Sequence, residues 1–403
     1  MMTREQALEA DRADELGRFR ERFLPVEDDR VIAYLDGNSL GRPPREVWER
    51  LRELVFTQWG TRMIRSWSDG WLELPQVLGD LIAESCLGAR NGQTILADST
   101  SVCLYKVLRG ALALRPGRTE IVTDADNFPT DRYLVDAVAA ELGLTVRCVE
   151  PERNGGVTVE LLREVVSERT ALVTLSHVAY RSAYIADMAG INEFVHAAGA
   201  FTVWDLCHSV GAIPVRLEES GTDFAVGCTY KFLNSGPGAP GFLYARAGLL
   251  QEFTQPITGW FGAADVFAMA RDYRPAPGIR RALSGTPAVL ALAGVAAGAG
   301  LTAEAGIEAI RAKSLALTGM ILDAQREWLR PLGFRLVTPE TDALRGGHVT
   351  LEHERGSELA QRFIEHGVIV DFRHPDGIRL GPAPLSTGFA ELWDGLARIG
   401  ELT

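Results

Sequence analysis

Residues Phe201–Ala245 read FTVWDLCHSVGAIPVRLEESGTDFAVGCTYKFLNSGPGAPGFLYA. Three short β-type runs stand in this stretch, at Phe201–Asp205, Phe224–Val226 and Gly241–Tyr244, each too brief and too apolar for a surface helix. Asp205 closes the first, and Lys231 follows the second just before a Gly- and Pro-rich segment. Upstream, similar runs recur at Gln93–Ala97, Glu120–Thr123, Thr145–Val149 and Ala171–Leu175, with helical periods at Asp131–Leu142, Val159–Ser167 and Ile191–Ala198. Strand–helix alternation at this spacing predicts an α/β fold with a mostly parallel sheet covered on both faces. One large domain is expected over residues 48–286. Beyond the Gly/Pro-rich stretch Arg274–Pro287 the pattern becomes helical, at 287–312 and 314–329. Short strands near 346–351 and 368–372 and a last helix at 389–399 follow. This predicts a smaller α+β domain over 287–403, against which a segment over 1–47 packs.

The chain has 403 residues and a formal net charge of −12, with 46% hydrophobic and 23% charged residues. That is the composition of a globular protein, and its acidity argues against nucleic-acid or anionic-membrane surfaces. Five cysteines without a CxxC spacing favour a reducing compartment and no structural metal site. The start of the chain, MMTREQALEADRADELGRFRERF, has no apolar signal core, and Thr3 with Gln6 fits a capping box. The apolar run Ala288–Leu301 is shorter than the ~20 residues a bilayer requires and reads as a buried helix. A cytoplasmic location is expected.

In an open parallel sheet, ligands bind at the carboxyl ends of the strands, where Asp205 is expected. A lysine just past a buried strand is costly without a chemical partner. An acid and a lysine so placed suit pyridoxal phosphate: the lysine forms a Schiff base and the carboxylate pairs with the pyridine nitrogen. On these two residues alone, a solvated lysine and a helix-capping aspartate are the commoner arrangement. Ser99-Thr100-Ser101, between a strand and a helix, offers hydroxyls and N–H groups to a phosphate, or simply caps the helix. Gly236, Gly238 and Gly241 spell G-x-G-x-x-G, but Pro237 and Pro240 intervene and a strand follows, so the dinucleotide reading fails.

Six blocks, DGNSLG (Asp36–Gly41), DNFPTDRY (Asp126–Tyr133), WDLCHSVGAIPV (Trp204–Val215), GCTYKFLNSGPGAP (Gly227–Pro240), GWFG (Gly259–Gly262) and GIRLGPAPL (Gly377–Leu385), together resemble the kynureninase family in order and over most of the chain. The resemblance implies the fold-type-I pyridoxal phosphate architecture of the class V aminotransferase-like enzymes. It implies hydrolytic Cβ–Cγ cleavage of L-kynurenine or its 3-hydroxy form, with Lys231, Tyr230 and Asp205 catalytic. Phe128 would stack on the cofactor with Asp131 nearby, and His208 would support Asp205 or the ring. Thr100, Ser101, Tyr230, Trp260 and Thr286 would contact the phosphate, the last two from the neighbouring subunit of a homodimer with shared sites. Arg379 would take the substrate carboxylate, and Ser39 and Trp67 would line the pocket.

The chain departs from the family at Ala263, where GWFG is ordinarily followed by His, at Cys103, where Asn is familiar, and at Ala183, where Gly is expected. These changes touch the acyl end and leave open a hydrolase for another γ-keto amino acid. An aminotransferase would share Lys231 and Asp205, and a catalytically inactive binding protein on the same scaffold would have degraded that pair. A desulfurase would need a cysteine well after the lysine, and every cysteine precedes Lys231.

Overall fold

A computed structural model describes all residues, Met1–Thr403. Seven strands form the main sheet: β1 (Thr94–Ala97), β2 (Glu120–Asp124), β3 (Thr145–Val149), β4 (Thr170–Ser176), β5 (Phe201–Asp205), β6 (Phe224–Gly227) and β7 (Gly241–Ala245). Their spatial order is β1-β7-β6-β5-β4-β2-β3, with β7 alone antiparallel to its neighbours. Every strand expected for this sheet is present within a residue or two, and all but the edge strand β3 are apolar runs covered on both faces. The edge strand β3 is largely exposed, whereas β5, β6 and β7 are buried throughout.

The parallel register aligns Ser176 with Asp205, and the helix-bearing crossovers bring the carboxyl ends of β1, β2, β4, β5 and β6 to one edge. Two apolar clusters cover the sheet faces. One contains Leu96, Val173, Trp204 and Phe242, and the other Ile95, Leu172, Val203 and Leu243, as the alternation of strand side chains requires.

Four short strands, β8 (Arg335–Leu336), β9 (Val349–Glu352), β10 (Asp371–Arg373) and β11 (Gly377–Leu380), form an antiparallel sheet in the order β10-β11-β9-β8. The final helix Phe389–Leu402 packs Leu392, Leu396 and Ile399 into that sheet's core. The first helix, Arg4–Ala13, begins with the expected capping box at Thr3 and Gln6 and lies against the final helix, Arg4 bonding Asp394. Ala33–Tyr34 pairs in parallel with Val368–Ile369.

The sequence placed one helical stretch at 287–312. The structure instead has Val289–Ala305 and Ile307–Ala324, divided at Gly306, whose φ of +79° is glycine's own region. Leu292, Val295 and Ala299 of the earlier helix pack into the large-sheet core, and Leu317 and Ile321 of the later one into the small-domain core. No single helix is long and apolar enough to cross a membrane. Gly236 and Gly238 take positive φ in the turn before β7, the geometry of a tight loop beside Lys231.

Candidate active site

The C-terminal edge of the sheet holds a cavity of about 80 Å³ between β2, β4, β5 and β6. Thr100, Ser101, Phe128, Asp131, Asp205, His208, Tyr230 and Lys231 all line it. Eight of the thirteen side chains singled out in the sequence thus converge, from segments spread between residues 100 and 231.

Asp205 ends β5 and is 8% exposed. Its Oδ1 accepts the backbone N–H of Cys207 at 2.8 Å, which fixes the carboxylate as the chain turns away from the strand. Asp131 enters from the helix Pro129–Leu142, which begins at the same sheet edge. Burial, and then the neighbouring Asp205 charge, hold the Asp131 carboxyl well above the usual carboxylate range. Two buried acids face one another here.

The protein contains only three lysines, Lys106, Lys231 and Lys313. Lys106 is paired with the partly exposed Asp98, and Lys313 with Asp14 inside the protein. Lys231 has no carboxylate ion-pair partner and places Nζ 2.9 Å from His208 Nε2 and 6.0 Å from the centre of the Phe128 ring. Burial, reinforced by Lys231, pushes the His208 pKa well below the ordinary histidine value, so a neutral ring faces the amine. Its Nδ1 is buried without a partner.

Ser99 caps the helix Thr100–Ala113, accepting from Val102 N–H, and the hydroxyls of Thr100 and Ser101 stand on its first turn. A β-carbon on Gly241 would come within 2.9 Å of the Thr100 nitrogen, so only glycine lets β7 pass this close to the helix start. Thr286 lies on the wall of an adjoining cavity of about 360 Å³, together with Thr100, Ser101 and Tyr230. The Tyr230 hydroxyl is raised above its usual pKa, chiefly by burial.

The remaining candidates stand outside the cavity. Arg379, on β11, is 1% exposed and gives Nε to Asp371 at 2.6 Å, Nη1 to the Tyr180 carbonyl at 2.8 Å and Nη2 to Ser39 Oγ at 3.3 Å. Ser39 and Arg379 are therefore joined, directly behind Tyr180. Trp67 packs edge-on against Phe261 at 5.4 Å, and Trp260 packs on the same ring at 4.5 Å. Trp67 thus sits among aromatic residues beyond the cavity, and Trp260, 37% exposed, stands on the outer surface.

Sequence reasoning missed Tyr180 and Asp371. Tyr180 lines the cavity, meets Phe128 edge-on at 5.5 Å and carries the carbonyl that holds Arg379. Its position just past β4, at the productive edge, was the available signal. Asp371 gave none, because it reaches Arg379 only through the antiparallel pairing of β10 with β11. Of the departures, Ala183 has φ +62°, a left-handed conformation that explains why glycine is the expected residue. The buried Cys103 thiol donates to the Ala97 carbonyl at 2.9 Å, and burial raises its pKa to about 12.

These residues define a test for the anticipated cofactor. A free amine on the strand edge, a buried acid for a ring nitrogen, an aromatic face and hydroxyls on a helix start beside a glycine-only approach match the donor set that pyridoxal phosphate needs. The unpartnered His208 Nδ1 leaves room in the same wall for one further polar contact.

Comparison with known proteins agrees. Solved structures with the same fold include the apo cysteine desulfurase of Thermococcus onnurineus NA1, 20% identical with a TM-score of 0.81 over 96% of this chain and 97% of that one. A C-DES variant with glycine covalently linked to its PLP cofactor is 19% identical, also at 0.81, over 95% and 99%. The architecture is that of the fold-type-I pyridoxal phosphate enzymes.

Within that class, the family model for the kynureninase C-terminal domain matches residues 310–399. The kynureninase of Pseudomonas fluorescens is 40% identical over 100% of this chain and 96% of its own length, and that of Burkholderia pseudomallei (strain 1106a) 38% over the same shares. The chain belongs to the kynureninase family.

Proposed function

We propose that this protein binds pyridoxal 5′-phosphate and hydrolyses L-kynurenine to anthranilate and L-alanine, with the 3-hydroxy substrate giving 3-hydroxyanthranilate. The observation that carries the reading is the convergence of the unpaired Lys231 amine, the Asp205–Asp131 acids and the Thr100–Ser101 hydroxyls in one cavity. When bound, the cofactor supplies an electron sink for the bonding pairs released at the substrate's α- and β-carbons.

The protein's part is binding and proton transfer. Lys231 Nζ is the amine that would hold the cofactor, and it is placed to take the proton from the substrate α-carbon. His208 is a neutral acceptor at 2.9 Å and keeps a second charge away from that amine. Asp205 would pair with the pyridine nitrogen, and burial beside Asp205 shifts the Asp131 carboxyl toward its neutral form. Phe128, on the cavity wall, would cover one face of the ring. Thr100, Ser101 and Tyr230 would direct hydroxyls to the phosphate, joined by Trp260 and Thr286 of the neighbouring subunit. Tyr230 serves as acid and base for hydration of the γ-carbonyl, a role worth ~10²–10⁴-fold in rate. Arg379, with two acceptors and Ser39 already orienting its fork, takes the substrate carboxylate.

We further infer a homodimer with shared sites in the cytoplasm. Trp48, Phe56, Trp59, Met63 and Ile64 are each more than half exposed along residues 48–64, as are Phe267 and Met269 beyond Trp260. So much exposed apolar surface marks an interface in a protein of this composition. Five free cysteines fit a reducing compartment. The division into 1–47, 48–286 and 287–403 carries into this reading, with Val289–Ala305 riding on the large domain. Incubation with L-kynurenine and 3-hydroxykynurenine should yield equal amounts of alanine and the aromatic acid. Loss of substrate amine to a keto acid without alanine would instead indicate an aminotransferase.

A further inference from the structure

Lys106 lies within the helix Thr100–Ala113, is 0% exposed, and the chemistry above makes no use of it. Its Nζ reaches Asp98 Oδ2 at 2.5 Å and the Ala282 carbonyl at 2.8 Å. Asp98 holds a left-handed φ of +42° immediately before the Ser99 cap, and its carbonyl accepts from Gly241 N–H at 2.9 Å. The Asp98 side chain is 34% exposed and lines the same cavity as Thr100, Ser101 and Thr286. A carboxylate thus stands beside the hydroxyls assigned to a phosphate dianion, where it would oppose binding. The chain otherwise uses arginine almost everywhere a cation is needed, yet keeps a lysine at this buried position.

We propose that Lys106 is a positioning residue for the cofactor phosphate. From behind the helix it neutralises Asp98, and it ties the helix start to the strand of chain that leads from Ala282 to Thr286. Asp98 can then hold the tight turn before Ser99 without repelling the dianion. The inference rests on the pyridoxal phosphate reading and adds to it a charge balance built from residues that do not touch the ligand.

The test compares binding of pyridoxal phosphate with that of pyridoxal, which lacks the phosphate. Both are titrated into the full-length protein freed of cofactor and followed by the visible absorption band. Lys106→Met should weaken pyridoxal phosphate about tenfold or more and change pyridoxal by less than about twofold. Asp98→Asn, at a partly exposed position, should tighten pyridoxal phosphate several-fold, and the double variant should return close to the parent. Equal weakening of both ligands in Lys106→Met would reduce Lys106 to a structural residue and overturn the proposal. So would an unchanged ratio in Asp98→Asn, an outcome readable even if the lysine variant does not fold. A parent protein that binds neither ligand would instead defeat the underlying cofactor reading.

Discussion

The site has two unequal halves. At the sheet edge, Asp205, Lys231, His208 and Asp131 sit on or just past β5, β6 and a helix start, each held by bonds or packing within this chain. At the rim, Trp260 and Thr286 sit on the long loop between β7 and the helix Val289–Ala305, where Phe267 and Met269 face outward with 54% and 69% exposure. The contrast teaches that the acid–lysine centre is held inside one chain, whereas the rim that carries Trp260 and Thr286 is an exposed surface, the part of the site that the proposed dimer would complete. It also explains where the family pattern loosens. Ala263, lacking the side chain expected there, belongs to the rim, bridging to Pro275 and bonding back to the Trp260 carbonyl.

The harshest way to break this comparison is Lys231→Ala. Turnover should fall by at least ~10⁴-fold and the visible band should vanish, because the remaining lysines are committed to Asp98 and Asp14. Next comes Arg379→Lys, which loses the fork. KM should rise ~10–100-fold, since charged hydrogen bonds contribute about 1.5–3 kcal/mol, with kcat changed less. An unchanged KM would remove Arg379 from substrate binding. The rim is sharpened by mixing subunits. Lys231→Ala and Thr286→Ala, each inactive alone, should together recover about a quarter of the parental activity through hybrid dimers with one intact site. No recovery would mean that each chain completes its own site.

A smaller effect concerns Asp124 at the end of β2, whose carboxyl burial raises to about 7. Between its ordinary value near 4 and about 7 the folded state binds the extra proton, so this group's contribution to stability falls as pH rises through that window. Asp124→Asn should therefore gain stability over the parent at pH 7 and little at pH 4, read as the melting-temperature difference. Smallest is Ala183→Gly, which should stabilise by up to ~1 kcal/mol by relieving the left-handed alanine, less glycine's own entropic cost.

The seven-stranded sheet was legible in the sequence because doubly covered strands are apolar runs, and Asp205 and Lys231 mark two of their ends. The four-stranded sheet was less so. The strand Gly377–Leu380, which carries Arg379, was read as a motif without its secondary structure, being only four residues long. The break at Gly306 was hidden by apolar helix on both sides. Tyr180, Asp371 and the Asp98–Lys106 pair join the site through contacts between distant segments, which no local pattern announces.

The central claim is that Lys231 alone carries the cofactor. Borohydride reduction of the purified protein followed by peptide mass spectrometry should find a single pyridoxyl-phosphate adduct, on the peptide containing Lys231. An adduct on Lys106 or Lys313, or none at all, would contradict it.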